Sequence, residues 1–68
     1  MTVQKDLKKA VAAAESAKGT YATFEQSTDD QTCKQMFTQM AQDMDRHISQ
    51  LNNRLEVVQQ NQLNNQES

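Results

Sequence analysis

The chain is predicted to be all-α: an antiparallel helical hairpin of two long helices that dimerises into a four-helix bundle. Three observations carry that expectation. Val3, Leu7, Ala10, Ala14, Ala17, Tyr21 and Phe24 recur with strict 4,3 spacing, the a and d positions of continuous heptads. After a polar break at Ser27 to Asp30, a second stripe runs Phe37, Met40, Ala41, Met44, Ile48, Leu51, Leu55 and Val58. Finally, 68 residues make one domain at most, with little besides self-association to stabilise it.

The first helix is expected over about residues 3–26, with Thr2 as its N-cap. Ala10 to Ala14, with Ala17, supply the strongest helix propensity in the chain. Gly19 sits inside this helix, where glycine costs about 1 kcal/mol relative to alanine. Its presence suggests close approach of another backbone or a slight kink.

The turn is expected at 27–29. Without proline or glycine, capping chemistry marks it. Thr28 followed by Gln31 fits a capping box, and Ser27 with Asp30 is the alternative. Asp29 and Asp30 then fall in the first turn of the next helix, where negative charge is favoured. A connection this short sets the helices antiparallel and adjacent.

The second helix is expected over about 29–60, completing a hairpin domain of residues 1–60. Its stripe shifts by one position between Met40 and Ile48, resembling a stutter that locally relaxes a left-handed supercoil. Counting from the turn places Phe24 near Cys33 and Phe37, Ala17 near Met40, Ala14 near Met44, and Leu7 near Leu51. Alanines admit a close approach and methionines fill the gaps, although a methionine cluster also suits an adaptable partner groove. Residues 61–68 are Gln/Asn-rich, bury too little apolar surface to offset their ordering entropy, and are expected to form a disordered tail.

Hydrophobic residues are 35% of the chain and aromatics 4%, a thin supply for a core. One core in so small a chain contributes about 3–5 kcal/mol, and natural examples add disulfides, metal or oligomerisation. A single cysteine, Cys33, excludes an internal disulfide, and a single histidine excludes a Cys/His zinc site. A homodimer or higher homo-oligomer is therefore expected, with Leu7, Ala14, Met44, Leu51, Leu55 and Val58 at its interface. The second helix outruns the first, so Leu55 and Val58 would be exposed in a monomer.

Net charge is −2, which argues against nucleic acid as a partner, because phosphate binding needs clustered Lys and Arg. Lys5, Lys8 and Lys9 form the one basic cluster. It reads as a solvated helix face, with contact to an anionic membrane surface as the alternative. No apolar h-region follows Met1 to Lys9, and no run approaches the ~20 apolar residues of a membrane span. A lone cysteine suits a reducing cytoplasm, and a Cys33–Cys33 bridge between chains is the alternative.

The chemistry worth weighing is ferritin-like. Half of a di-iron carboxylate bundle is a hairpin with Glu on one helix and Glu-x-x-His on the other. Here Glu15 lies on the first helix and His47 on the second, but Met44 occupies the position three before His47. Asp43, four before it, could share a metal with His47, which leaves Glu15, Asp43 and His47 as the metal-ligand candidates. A surface pair of Asp43 with His47 is the plainer reading. The helix N-terminus could lower the Cys33 pKa, although packing near Phe24 and Phe37 is favoured over reactivity. A two-helix hairpin offers no water-excluding pocket, and one glycine excludes a phosphate loop, so no catalysis and no cofactor are expected.

The opening Met1-Thr2-Val3, the Ala-rich helix ending at Phe24, and the Thr28-Asp29-Asp30 turn resemble a small family. So do Lys34 to Phe37 with Met40-Ala41, and Leu51 to Leu55 with Arg54. The family is named only as domain of unknown function 1657, and the resemblance covers about residues 1–58. Asn52-Asn53 precede Arg54 where the family carries a proline, and the Gln/Asn-rich tail replaces an acidic, Pro-containing end. The resemblance implies an origin in spore-forming Firmicutes, a gene neighbourhood of spore membrane-channel components, and an accessory role in spores. It supplies no catalytic residues. The function expected is that of a non-enzymatic structural or interaction protein of the cytoplasm, forespore or spore, with an unidentified protein partner as a further option. A degenerate ferritin-like metal-binding hairpin is the alternative.

Overall fold

The computed structural model describes residues 2–67, with side chains described through Asn61. Two helices account for nearly all of it: α1, Val3–Ser27, and α2, Gln31–Glu67. They pack against each other as a hairpin with principal extents of 58 × 18 × 12 Å. The long dimension is essentially α2 itself, since 37 residues at 1.5 Å each span about 55 Å.

Thr2 caps α1 as expected. Its backbone is extended, and its side-chain oxygen accepts the Lys5 N–H at 3.1 Å. At the other end α1 runs to Ser27, and the connection is Thr28 to Asp30 in place of 27–29. Thr28 leaves the helix with φ −83° and ψ 140°, while its N–H still reaches the Phe24 carbonyl at 3.0 Å. Thr28 Oγ1 then accepts the Asp30 N–H at 3.2 Å. Asp30 Oδ1 accepts the Thr32 N–H at 3.1 Å, and its carbonyl accepts the Lys34 N–H at 2.9 Å. Asp30 is therefore the cap of α2, and Thr28 folds the link. Neither expected pairing, Thr28 with Gln31 or Ser27 with Asp30, is the cap, and both aspartates precede the helix. No described residue takes a positive φ, so the turn needs no glycine.

The α2 backbone continues to Glu67, past the Gln60 end expected from the sequence. No glycine or proline follows Gln31, so no residue in this stretch breaks the helix, and glutamine is a good helix former. The side chains from Gln62 onward, and Ser68, lie outside the described residues, as does that part of the expected disordered tail.

The seam between the helices follows the heptads. Leu7, Ala10, Ala14, Ala17 and Tyr21 line it from α1, and Phe37, Ala41, Met44, Ile48, Leu51, Leu55 and Val58 from α2. Taken through Ala41, the α2 positions keep unbroken 4,3 spacing, so the stripe needs no stutter. The α1 contact face drifts instead: Val11, Ala22 and Glu25 join it, while Val3 and Phe24 are exposed. A straight helix rotates by ~20° per heptad against a 3.5-residue repeat, which produces this drift. Phe24 still meets Phe37, with ring centroids 5.4 Å apart and planes tilted by 51°. Only Ala14, at 9% exposure, is buried among the described residues. Leu55 and Val58 are half-buried rather than exposed, because the first turn of α1 reaches their level.

A Cβ built on Gly19 meets nothing within 4 Å, so no neighbouring backbone requires glycine there. Gly19→Ala should stabilise the helix by about 1 kcal/mol, raising Tm by ~4–8 °C in a chain of this size. A circular-dichroism melt checks this, and a lowered Tm would mean that something approaches Gly19 in the working assembly.

Candidate interaction surface

Residues seven apart on a helix share a row, so the two edges of the seam can be compared. On one edge, the α1 row of Lys18 and Glu25 faces the α2 row of Thr38 and Asp45. Lys18 Nζ lies 2.6 Å from Asp45 Oδ1, and the Thr38 hydroxyl donates to the Glu25 carboxylate. The Thr38 hydroxyl also lies 2.9 Å from the Lys34 carbonyl, so its single proton is shared between two acceptors. Charged and hydroxyl groups thus close this edge. The ion pair is about half exposed on both sides, so it contributes at most ~1 kcal/mol.

The other edge is the more apolar of the two, although His47 and Arg54 lie on it. Along the opposite margin of the seam, α1 presents Val3, Ala10, Ala17 and Phe24, and α2 presents Cys33, Met40, His47 and Arg54. Phe24 is 45% exposed and Met36, one turn from Cys33 and Met40, is 50% exposed. Towards the N-terminus of α1 the same edge opens into a groove of about 430 Å³ lined by Leu7, His47, Gln50, Leu51 and Arg54. Four of the expected interface residues, Leu7, Ala14, Met44 and Leu51, therefore lie in the seam within one hairpin, with Leu55 and Val58 at its far end. Met36, Phe24 and Arg54 were not among the expected interface residues. For Phe24 and Arg54 the signal is the seven-residue row, legible once the two helices are in register.

The metal-ligand candidates are not brought together. Glu15 and His47 are exposed. Asp43 Oδ1 is engaged by Arg46 Nη2 at 2.6 Å and Gln39 Nε2 at 3.1 Å. Among the described residues, no three of His, Cys, Asp and Glu are grouped as metal ligands. Lys5, Lys8 and Lys9 are exposed on α1. No described helix is long and apolar enough to cross a membrane.

Cys33 is half-buried. Its hydrogen bond to Asp30 is the largest influence raising the thiol above its ordinary pKa, followed by burial and by the charge of the Asp30 carboxylate. The expected lowering by the helix N-terminus is reversed, because the residue that caps the helix is itself an anion beside the sulfur. Asp30→Ala should cost about 1 kcal/mol of stability through the lost cap and make Cys33 react faster with a disulfide reagent at neutral pH. Asp30→Asn should retain the stability. An unchanged rate in Asp30→Ala would mean that the carboxylate does not control the thiol.

The Arg46 guanidinium, then the Gln39 amide, hold the Asp43 carboxyl below its ordinary range. A depressed folded pKa adds stability above the unfolded value of about 3.9, lost as pH falls through the folded one. Carboxyl-carbon NMR should show Asp43 titrating below an ordinary aspartate, and Arg46→Gln should move it up.

Comparison with known proteins completes the description. No curated protein and no solved structure matches the chain. Residues 7–55, most of the length of both helices around the turn, match the family described as protein of unknown function (DUF1657), and the chain belongs to that family.

Proposed function

We propose that the protein is a non-enzymatic helical interaction module that works as a homodimer, two hairpins forming a four-helix bundle. The observation that carries this reading is that a single described residue, Ala14, is buried, while Val3, Phe24, Met36 and Val57 stay exposed along one edge of the seam. Water on that edge is a standing cost that a second layer of helices removes. The groove is lined by Leu7, Leu51, His47, Gln50 and Arg54, an apolar floor with polar groups at its rim, which suits docking of a helix face. The setting we assign is the cytoplasm, which the lone cysteine suits, with an accessory role in the forespore or spore, which the family resemblance implies.

Sedimentation equilibrium should give twice the 7.7 kDa mass of the chain. Leu51→Asp should abolish both the dimer and the helical signal, because it replaces apolar contact with Leu7 by a carboxylate that has to be desolvated in the seam. A folded, oligomeric Leu51→Asp protein would mean that the seam is wrongly assigned, and a folded wild-type monomer would overturn the homodimer.

A further inference from the structure

Resting on the homodimer reading, we propose that the second copy docks on the apolar edge with its turn at the opposite end, α1 against α1 and α2 against α2. The area fits one such partner. The chain exposes 5141 Å², whereas a folded monomer of its mass exposes about 4,300 Å². The excess, spread over a rod-shaped hairpin, is roughly 800 Å², of the size that one partner buries in an interface of standard size. The polar edge has already spent its cross-helix groups on one another, through Lys18 with Asp45 and Glu25 with Thr38. The apolar edge has not.

A two-fold dimer is self-complementary, so the order of residues along the edge decides its direction. The α1 row reads large, small, small, large: Val3, Ala10, Ala17, Phe24. Reversed about its midpoint, Ala10 meets Ala17 of the second copy and Val3 meets Phe24, so the backbones approach closely in the middle while the larger side chains pack at the ends.

The pairs Phe24–Phe37 and Lys18–Asp45 put that midpoint level with residues 48–49 of α2. The midpoint of α2, Gln31–Glu67, is residue 49. One axis therefore serves both helices, and α2 pairs with its copy along its whole length. The overhang of α2 beyond α1 then lies beside the turn of the second copy. With both turns at the same end, that overhang would stay uncovered.

Charge follows the same register. Reversal about residues 48–49 sets Asp43 beside Arg54 of the second copy, Met40 beside Val57, and His47 beside Gln50. Arg46 and Gln39 both bond Asp43 Oδ1, which leaves Oδ2 to accept from that arginine. Val57, 43% exposed in the single chain, gains an apolar neighbour.

Cys33 is the only cysteine, so a nitroxide attached there reports the arrangement in the full-length protein. Turns at opposite ends place the two Cys33 positions about 46 Å apart along α2 at 1.5 Å per residue. Turns at the same end place the labels roughly 15–25 Å apart, the diagonal of a bundle with 8–10 Å helix spacing plus the label arms. Double electron–electron resonance should give the long distance. The short distance in a dimer would overturn the opposite-end arrangement and leave the homodimer standing, whereas a monomer by sedimentation would overturn both.

A second variant guards against disturbance by the label. In Cys33→Ser, His47→Cys places the new thiols about 4.5 Å apart along the axis direction near the two-fold, and mild oxidation should link the dimer. If that variant is dimeric but does not cross-link, the proposed register is wrong.

Discussion

Two helices can share only one line of contact, and every other property of this fold follows from that limit. A side chain on the line keeps water on both flanks, which is why the seam is half-buried along its length and only Ala14 drops to 9% exposure. Close approach is the available remedy. Alanines at 10, 14 and 17 bring the α1 backbone near, and the longer Met44, Ile48 and Leu51 reach over from α2. Each half-buried leucine or isoleucine then contributes about half of the ~1.5–3 kcal/mol of full burial. The alanines also lower the cost of forming α1 in the first place.

Capping does more at the turn than the lack of glycine or proline would suggest. Thr28 ends one helix and accepts from Asp30, and Asp30 starts the next. Because Asp30 sits three residues before Cys33, the carboxylate that satisfies the Thr32 N–H also suppresses the thiolate. One side chain thus sets both the geometry of the turn and the chemistry of the sole cysteine.

The hairpin, the Thr2 cap, the seam and the pairings of Phe24 with Phe37 and of Leu7 with Leu51 are all legible in the heptads alone. The helix boundaries are less so. The sequence from Ser27 to Gln31 offers several hydroxyls and carboxylates at workable capping spacings, and only backbone geometry chooses Asp30. The regularity of α2 is hidden by composition: Met40 looks like the seam residue beside the small Ala41, although Ala41 keeps the repeat. The difference between the two edges is hidden more deeply, because it belongs to neither helix. Lys18 and Asp45 are ordinary surface charges until the register is known. The open edge becomes visible only when the Phe24 row and the Met40 row are laid side by side. That surface is the part of the candidate site that a single stripe cannot disclose.

The shape of the hairpin has a hydrodynamic consequence. Its radius of gyration is 16.2 Å, the value of a compact domain of about 190 residues, against about 11 Å for a compact chain of this length. A rod of these proportions drags far more solvent than its mass suggests. On a sizing column calibrated with spherical standards, a single hairpin would elute where a dimer or trimer of a globular 68-residue protein is expected. Elution volume therefore reports the length of α2 before it reports stoichiometry. Mass for this protein has to come from equilibrium or scattering intensity, where friction does not enter.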